Sequence, residues 1–167
     1  GDVYKRQALA RTLLPLCRAR RVPLLINDRV DIALAAGADG VHLGQEDLPL
    51  PEARALLGPD RILGATAHTV EEALRAQAEG ADYLGVGAMF PTGTKTDTVP
   101  TSADTLKAIC AAVSIPVVAI GGVNARNLPT LAGTGIAGAA VVSAIFSQSD
   151  LTAAARTLRT AADLAAC

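Results

Sequence analysis

The stretch Gly37-Ala-Asp-Gly-Val-His-Leu-Gly44 recurs as Gly80-Ala-Asp-Tyr-Leu-Gly-Val-Gly87, and Gly135-Ile-Ala-Gly-Ala-Ala-Val-Val142 is a weaker third copy. Each copy opens with a glycine that follows a helix-like segment and then continues as a short apolar run. A glycine just past a helix adopts the left-handed conformation that ends the helix, so each copy predicts a helix end followed by a strand. The repeat therefore predicts a chain built from strand–helix units.

The rest of the chain continues this alternation. Apolar runs predict strands at Pro23–Asn27, Gly40–Leu43, Ile62–Ala65, Tyr83–Gly87, Pro116–Ile120 and Ala139–Val142. Helices are predicted at Ala8–Arg20, Val30–Ala36, Leu50–Leu57, Val70–Glu79, Ala103–Val113, Ala125–Thr134 and Leu151–Ala165. Two of these helices begin with a capping-box pattern, Thr69 with Glu72 and Thr101 with Asp104. Short strands that alternate with helices indicate a parallel sheet.

Two α/β architectures are compatible with repeated strand–helix units, a doubly wound open sheet and a (β/α)₈ TIM barrel. The pattern Gly-x-Gly-x-x-Gly does not follow the first strand, which argues against a dinucleotide-binding doubly wound sheet. Glycines and a serine follow the last two strands, where barrels typically bind phosphate. The sequence therefore predicts a TIM barrel of which six parallel strands are present and about the first two β-strands are lacking.

Length and composition narrow the class of protein. The 167 residues predict one domain, and residues 1–7, which lack an initiator methionine and a periodic pattern, are interpreted as a non-native leader ahead of a partial barrel domain at 8–167. A net charge of -1 without a basic block argues against nucleic-acid binding. No apolar run reaches the roughly 18 residues of a membrane span. Three widely spaced cysteines and no recognisable secretory signal predict reduced thiols and a cytoplasmic location.

Candidate functional residues collect after the predicted strands, because the carboxyl ends of parallel strands meet at one edge. Asp28 follows the first strand and Asp47 the second. Neighbouring strands lie about 4.8 Å apart, so both carboxylates could reach one hard cation, and with substrate phosphates they suit Mg²⁺. The alternative is structural: Asp28 caps the next helix or pairs with Arg29, and Asp47 begins a turn.

The loop after the fourth strand contains Thr92, Thr94 and Lys95. Backbone N–H groups and threonine hydroxyls can donate hydrogen bonds to a phosphate, and the ammonium group supplies charge. The loop therefore predicts an anion site, with a solvated loop lysine as the alternative.

A second candidate anion site lies after the last two strands. Gly121 and Gly122 permit close approach of a ligand to the backbone, and Ser143 lies where helix N–H groups could point at an anion. Neighbouring loops of a barrel would bring the three residues into one phosphate cup. The alternatives are a tight turn for the glycine pair and a helix cap for Ser143.

Three other polar residues lie in or near strand ends. The Thr66 hydroxyl could face a ligand or bond the backbone, whereas His42 lies within a strand and His68 directly precedes the cap Thr69, which favours structural roles for both histidines. The complete set of candidates suits two anionic ligands, one beside a metal ion and one in the glycine–serine cup. That arrangement fits the joining of two phosphorylated molecules or the displacement of diphosphate.

Six motifs carry a resemblance to a known family. They are Ile26-Asn-Asp-Arg-Val-Asp31, Gly40-Val-His-Leu-Gly-Gln-Glu-Asp47, Ala67-His-Thr69, the stretch from Gly85 to Lys95, Ala119-Ile-Gly-Gly122 and Val141-Val-Ser-Ala-Ile145. In this order and spacing they resemble thiamine-phosphate synthase. The resemblance implies a (β/α)₈ transferase that condenses 4-amino-2-methyl-5-hydroxymethylpyrimidine diphosphate with thiazole phosphate, giving thiamine phosphate and diphosphate with the help of Mg²⁺.

The resemblance also implies roles for individual residues. Asp28 and Asp47 would hold Mg²⁺, and Asn27 would contact the pyrimidine-side substrate. Catalytic roles would fall to Lys95, which would neutralise the departing diphosphate, and to Thr66, which stands where the family often has a serine. The thiazole phosphate would be cradled by Thr92, Thr94, Gly122, Val142 and Ser143.

The chain departs from the family pattern at its amino terminus. The family's first two strand–helix units, with a Gln-x-Arg-x-Lys-type segment that binds diphosphate, do not occur here. We therefore predict weak or no activity for the 167 residues alone, and exposed strand edges that favour association with further copies. The partners implied are small-molecule substrates. Two other functions stay open: a thiazole tautomerase on the same barrel, and a non-catalytic phosphate-binding barrel.

Overall fold

The computed structural model describes residues 2–91 and 100–165. The first half of the chain forms α1 (Asp2–Ala19), β1 (Leu25–Asn27), α2 (Val30–Ala36), β2 (Gly40–Leu43), α3 (Leu50–Leu57), β3 (Ile62–Ala67), α4 (Val70–Ala78) and β4 (Tyr83–Val86). The second half forms α5 (Ala103–Ala112), β5 (Val117–Ile120), a 3₁₀ helix (Leu128–Leu131), β6 (Gly138–Ala140), α6 (Ser143–Phe146) and α7 (Leu151–Ala165).

The six strands form one parallel sheet in the order β1-β2-β3-β4-β5-β6. Connections between neighbouring parallel strands are right-handed, so a sheet that always advances in one direction keeps its helices on one face. A doubly wound sheet would instead reverse its strand order at a switch point. The unreversed order confirms the barrel-type fold with six parallel strands, here an open half-barrel with β1 and β6 at its edges.

The helix-covered face of the sheet forms the core. Successive side chains of a strand point to opposite faces, and those pointing to the helices are apolar and fully buried. They include Val41, Leu43, Leu63, Ala65, Leu84, Val86 and Ala119. The intervening positions form the concave face, where His42, Thr66 and Tyr83 are half-buried and Ile120 is exposed.

The repeated Gly-Ala-Asp segment fastens each new strand to its neighbour. The glycines that open the two strong copies have φ of 70° and 93°, which confirms the predicted left-handed helix ends. The carboxylate of Asp39 accepts the backbone N–H of Leu24 at 2.8 Å, and that of Asp82 accepts the N–H of Leu63 at 2.7 Å. The repeat therefore encodes a helix stop and a strand-to-strand hydrogen bond in one short motif.

Two helix predictions differ from the structure near the carboxyl terminus. The predicted helix at Ala125–Thr134 is wrong, because only the short 3₁₀ helix forms there. The Asn124 side chain accepts the N–H of Asn127 at 3.2 Å, and that of Asn127 accepts the N–H of Asn124 at 2.8 Å. Such local bonds offer the backbone an alternative to a helix. The helix α6 was not predicted, because four residues are too few to show a helical period.

The two predicted helix caps have different outcomes. Thr69 caps α4 as predicted, accepting the N–H of Glu72 at 3.1 Å. The cap predicted at Thr101 is wrong: Ser102 caps α5 and accepts the N–H of Thr105 at 3.0 Å, while Thr101 is buried.

The amino-terminal helix starts earlier than predicted. Its first residue is Asp2 rather than Ala8, so residues 2–7 belong to α1. The Arg6 guanidinium donates to the carbonyl of Asn27 at 3.3 Å. The interpretation of residues 1–7 as a non-native leader stays a prediction. None of the helices described is both long and apolar enough to cross a membrane.

Candidate functional site

The loops that follow the six strands form one rim of the half-barrel, since all strands run in the same direction. The rim holds Asp28 after β1, Asp47 after β2, Gly122 after β5 and Ser143 after β6, with Thr66 near the carboxyl end of β3. The structure therefore brings the sequence-predicted residues that it describes to the same edge of the sheet. Thr92, Thr94 and Lys95 lie outside the described residues.

Asp28 occupies a special backbone position directly after β1. Its φ is 66°, a left-handed conformation in which Asp and Asn occur far more often than most side chains. Its N–H extends the sheet by donating to the carbonyl of His42 at 2.9 Å, and its Oδ1 accepts the Asn27 amide at 2.6 Å. The two structural alternatives for Asp28 are wrong, because α2 has no side-chain cap and Arg29 pairs with Asp31 instead. That guanidinium holds the pKa of Asp31 below its ordinary value.

Asp47 closes the turn after β2. Its Oδ2 accepts the N–H of Gly44 at 2.6 Å, and its own N–H donates back to the Gly44 carbonyl at 3.3 Å. Asp47 therefore ends a turn rather than beginning one, as the structural alternative had it. The bonds described for Asp28 and Asp47 use one oxygen of each carboxylate, and a carboxylate offers two.

The carboxylates at the rim supply hard oxygen donors on two neighbouring strands. Across residues 2–91 and 100–165, no group of three or more His, Cys, Asp and Glu side chains gathers as a metal site. Asp28 and Asp47 stay a predicted pair of cation ligands, to which a substrate would have to add further oxygens.

Thr66 is held from two directions. Its hydroxyl is hydrogen-bonded to Nε2 of His42 at 3.0 Å. Its carbonyl accepts the side-chain amide of Gln45, whose own oxygen accepts the Arg75 guanidinium at 2.9 Å. The Thr66 hydroxyl is thus hydrogen-bonded to a histidine. The alternative that the sequence left open was a bond from this hydroxyl to the backbone.

His42 is bonded within the concave face, as predicted. Its Nδ1 lies 2.9 Å from the Tyr83 hydroxyl, and the two rings are 5.4 Å apart at 36°. Glycines on the adjoining strands make room: a Cβ on Gly64 would lie 2.3 Å from the Tyr83 ring, and one on Gly85 would lie 3.1 Å from Cε1 of His42. Burial raises the pKa of the Tyr83 phenol.

Tyr83 was missed by sequence reasoning, although the repeat contains a signal. The two copies place Gly40 opposite Tyr83 and His42 opposite Gly85 in their alignment. A large side chain in one copy therefore replaces glycine in the other at both concave-face positions, which is the pattern expected of two ring side chains sharing one layer.

The other histidine also has the structural role predicted for it. Nδ1 of His68 donates to the carbonyl of Gly87 at 2.8 Å, and its N–H donates to the carboxylate of Glu72 at 2.7 Å.

The glycine pair after β5 allows close contact between two rim loops. Gly121 and Gly122 have φ of 88° and 65°. A Cβ on Gly121 would lie 2.6 Å from Cα of Ala88, and one on Gly122 would lie 2.5 Å from the carbonyl oxygen of Pro91. The space beside this pair is thus occupied by the protein's own backbone, and close approach of a ligand to the pair stays a prediction. The Asn127 amide donates to the Gly122 carbonyl at 2.9 Å and fixes the loop.

A cavity of about 650 Å³ opens between the last two rim loops and α7. Gly122 and Ser143 both line it, together with Pro91 and the polar side chains of Asn124, Arg126, Ser147, Gln148 and Thr157. Ser143 is the first residue of α6 and is exposed; the cap position belongs to Val142, so the cap alternative for Ser143 is wrong. The cavity is large enough for a small phosphorylated molecule.

A sequence model of the family described as thiamine monophosphate synthase matches residues 2–145. This chain belongs to the thiamine monophosphate synthase family. Thiamine-phosphate synthase of Ruminiclostridium cellulolyticum is 59% identical over 137 residues, which are 82% of this chain and 65% of that protein. Thiamine-phosphate synthase of Clostridium tetani is 56% identical over 130 residues, covering 78% and 62%.

A solved structure of the thiamine monophosphate synthase family has the same fold. Thiamine phosphate pyrophosphorylase from Pyrococcus furiosus superposes with a TM-score of 0.90 at 40% identity, over 98% of this chain and 78% of that one. The chain spans somewhat less than two thirds of the length of the two bacterial relatives.

Proposed function

We propose that this chain is the larger part of a thiamine-phosphate synthase, a transferase that condenses the pyrimidine diphosphate with thiazole phosphate and releases diphosphate. The observation that carries the proposal is the shared rim. It holds a pair of carboxylates at Asp28 and Asp47 and, between the loops that follow β5 and β6, a cavity lined by Gly122 and Ser143. Membership of the family and relatives named as synthases support the same reaction.

Mg²⁺ is the cofactor that the carboxylates fit best. Asp28 and Asp47 would hold it through oxygens, and substrate phosphates would complete the shell of an ion that rarely uses an all-protein cage. Bound Mg²⁺ would neutralise charge that develops on the departing diphosphate. Asn27, which donates to Asp28 Oδ1 at 2.6 Å, fixes the orientation of that carboxylate.

The pyrimidine diphosphate would bind between this carboxylate pair and Thr66. Asn27 on β1 and Thr66 on β3, the two strands that flank β2, supply polar groups of both donor and acceptor character. Lys95 would supply positive charge to the leaving diphosphate, a role that rests on the sequence because the residue lies outside those described.

The thiazole phosphate would bind at the cavity beside α6. Gly122 and Ser143 line it from two neighbouring loops, with Gly121 and Val142 next to them in the chain, and Arg126 on its lining adds a positive charge that suits a phosphate. Thr92 and Thr94 follow Pro91, which also lines the cavity, and complete the proposed cradle.

The chemistry needs little proton transfer. The bond between the pyrimidine methylene carbon and the diphosphate oxygen breaks, and the electron pair leaves with diphosphate. The electron-poor carbon is then attacked by the thiazole nitrogen, which forms the new carbon–nitrogen bond and retains the positive charge in thiamine phosphate. The residues of the rim therefore act by binding, charge neutralisation and alignment.

Release of diphosphate tests this proposal. The protein extended by the two predicted amino-terminal strand–helix units should release diphosphate only when both substrates and Mg²⁺ are present. Asp47→Asn tests the role of the charge more sharply than Asp47→Ala does, because an amide oxygen can still accept the Gly44 N–H. We expect Asp47→Asn to lose most of the rate, and full activity without this carboxylate would contradict the metal assignment.

The same assay separates the two other functions. Isomerisation of the thiazole phosphate alone, without metal, would identify a tautomerase. Tight binding of thiazole phosphate without diphosphate release in the extended protein would identify a non-catalytic phosphate-binding barrel.

The setting of the reaction is also a proposal. Cys17 and Cys110 are free thiols, whereas Cys167 lies outside the described residues, and free thiols suit the reducing cytoplasm. Small phosphorylated molecules are the proposed partners, together with further copies of the chain at the open sheet edges.

A further inference from the structure

Three polar side chains form a layer across the concave face below the rim. Tyr83 on β4, His42 on β2 and Thr66 on β3 are joined in one hydrogen-bonded row, with separations of 2.9 Å and 3.0 Å on either side of the imidazole. Gly64 and Gly85 leave the space that the two rings occupy. The layer is thus built into three neighbouring strands rather than formed by a flexible surface contact.

The position of the protons in this row decides what Thr66 can offer to a ligand. If Nδ1 of His42 carries the proton, Nε2 accepts the Thr66 O–H and the threonine can offer a ligand only lone pairs. If Nε2 carries the proton, it donates to Thr66 Oγ1 and the O–H of Thr66 can donate to a ligand instead. The tautomer of one histidine therefore sets the polarity of a hydroxyl near the rim.

We propose that His42 is a positioning residue that holds the Thr66 hydroxyl as a hydrogen-bond donor toward the pyrimidine diphosphate. Tyr83 donates its O–H to Nδ1 of His42, and Nε2–H donates to Thr66 Oγ1. The direction of donation from Tyr83 rests on the phenol being a stronger hydrogen-bond donor than a neutral imidazole N–H. Burial of Tyr83 favours its protonated form and so maintains this donor.

The backbone of Thr66 is fixed independently of His42. Gln45 donates to the Thr66 carbonyl and is itself held by Arg75. A change at His42 or Tyr83 should therefore alter the direction of the hydroxyl while the strand end stays in place. That the pyrimidine diphosphate accepts the Thr66 O–H rests on the proposed function, whereas the tautomer of His42 does not.

The tautomer can be measured directly, because the chain has two histidines. His68 donates from Nδ1 to the Gly87 carbonyl, so it serves as an internal reference for the Nδ1–H form. Long-range ¹H–¹⁵N spectra at pH 8, with His68→Asn used for assignment, should show that His42 carries its proton on Nε2 and that Nδ1 is unprotonated. A His42 protonated at Nδ1 would overturn the proposal.

Tyr83→Phe tests the source of the tautomer with little change in shape. We expect loss of the phenol to populate the Nδ1–H form of His42, whereas Tyr4→Phe, at an exposed residue of α1, should leave the spectrum of His42 unchanged. An unchanged His42 spectrum in Tyr83→Phe would show that the phenol does not hold the imidazole.

Binding gives the functional measurement. In calorimetric titrations of the protein extended by the two predicted amino-terminal units, with the pyrimidine diphosphate and Mg²⁺, Thr66→Val and His42→Leu should each weaken affinity by roughly tenfold, and the double variant by no more than either. His42→Gln should retain near-normal affinity, because its amide can still donate to Thr66. Normal affinity in His42→Leu alongside weak affinity in Thr66→Val would overturn the positioning role. If the extended protein without substitutions binds no pyrimidine diphosphate, the proposed function fails while the spectra still decide the tautomer.

Discussion

A Cβ on Gly122 would lie 2.5 Å from the carbonyl oxygen of Pro91, so the loops after β4 and β5 touch backbone to backbone. Pro91 and Gly122 both line the 650 Å³ cavity, so this contact forms part of its wall. A side chain at position 122 is disfavoured by this contact and also by the φ of 65°, a conformation that glycine adopts more readily than other residues.

Gly122→Ala should lower the free energy of unfolding by about 2–4 kcal/mol, since both strain and the clash with Pro91 contribute. Gly133→Ala is the matched control: it has a φ of 75° but open space around its Cβ position. The control should lose only about 1–2 kcal/mol from strain. Urea denaturation measures both, and equal losses in the two variants would contradict the loop contact.

Asp82→Ala should destabilise the sheet by about 1–3 kcal/mol, because it leaves the Leu63 N–H without its acceptor and removes the partner of Arg54. Asp82→Asn should lose less, since an amide oxygen can still accept the N–H while the charge is gone. Thermal unfolding of both variants tests this order. Equal losses in the two variants would show that the ion pair with Arg54, rather than the backbone hydrogen bond, holds β3 in place.

The stability of the protein should fall at alkaline pH partly because of Tyr83. Burial raises the pKa of this phenol above its ordinary value of 10.0. Because the folded-state pKa is the higher one, the contribution is fully present below pH 10 and is lost as pH rises through the folded-state pKa. Unfolding free energies from pH 8 to pH 11 should therefore decline more steeply in the unsubstituted chain than in Tyr83→Phe. Parallel curves would contradict the burial effect.

The open edges of the half-barrel should make the chain associate. Strands β1 and β6 end the sheet, and exposed apolar side chains such as Val142 and Phe146 lie beside β6. An unpaired strand edge is a template for pairing with another chain. Light scattering after size exclusion should show species larger than a monomer that increase with concentration, and Phe146→Lys should reduce them. A monomer at all concentrations would contradict this prediction.

The sequence predicted those parts of the fold that depend on short, local patterns. The Gly-Ala-Asp repeat located the helix stops and strand starts at Gly40 and Tyr83, and the Thr69 cap formed where its pattern predicted. The loop at 124–134 could not be predicted, because reciprocal hydrogen bonds between Asn124 and Asn127 override the apolar pattern of a helix. These bonds depend on the folded loop and leave no periodic signal.

The candidate site also has features that the sequence predicts and features that it does not. Its rim follows from strand direction, so the common edge of Asp28, Asp47 and Ser143 was predictable once a parallel sheet was assumed. The left-handed backbone of Asp28 and the partner of the Thr66 hydroxyl were not, because both depend on contacts with β2, through the carbonyl and the imidazole of His42.

The rim of the half-barrel is proposed to bind a metal-linked diphosphate at one side and a phosphate at the other. Amide NMR spectra of the chain test it most directly, with Mn²⁺ replacing Mg²⁺ because it accepts similar oxygen ligands. In the presence of inorganic diphosphate, Mn²⁺ should broaden the amide signals of Asp28 and Asp47 first. The double variant that combines Asp28→Asn and Asp47→Asn should abolish this broadening. Thiazole phosphate should shift the signals of Gly122 and Ser143. Broadening centred elsewhere in the chain, or shifts that leave Gly122 and Ser143 unaffected, would contradict the account.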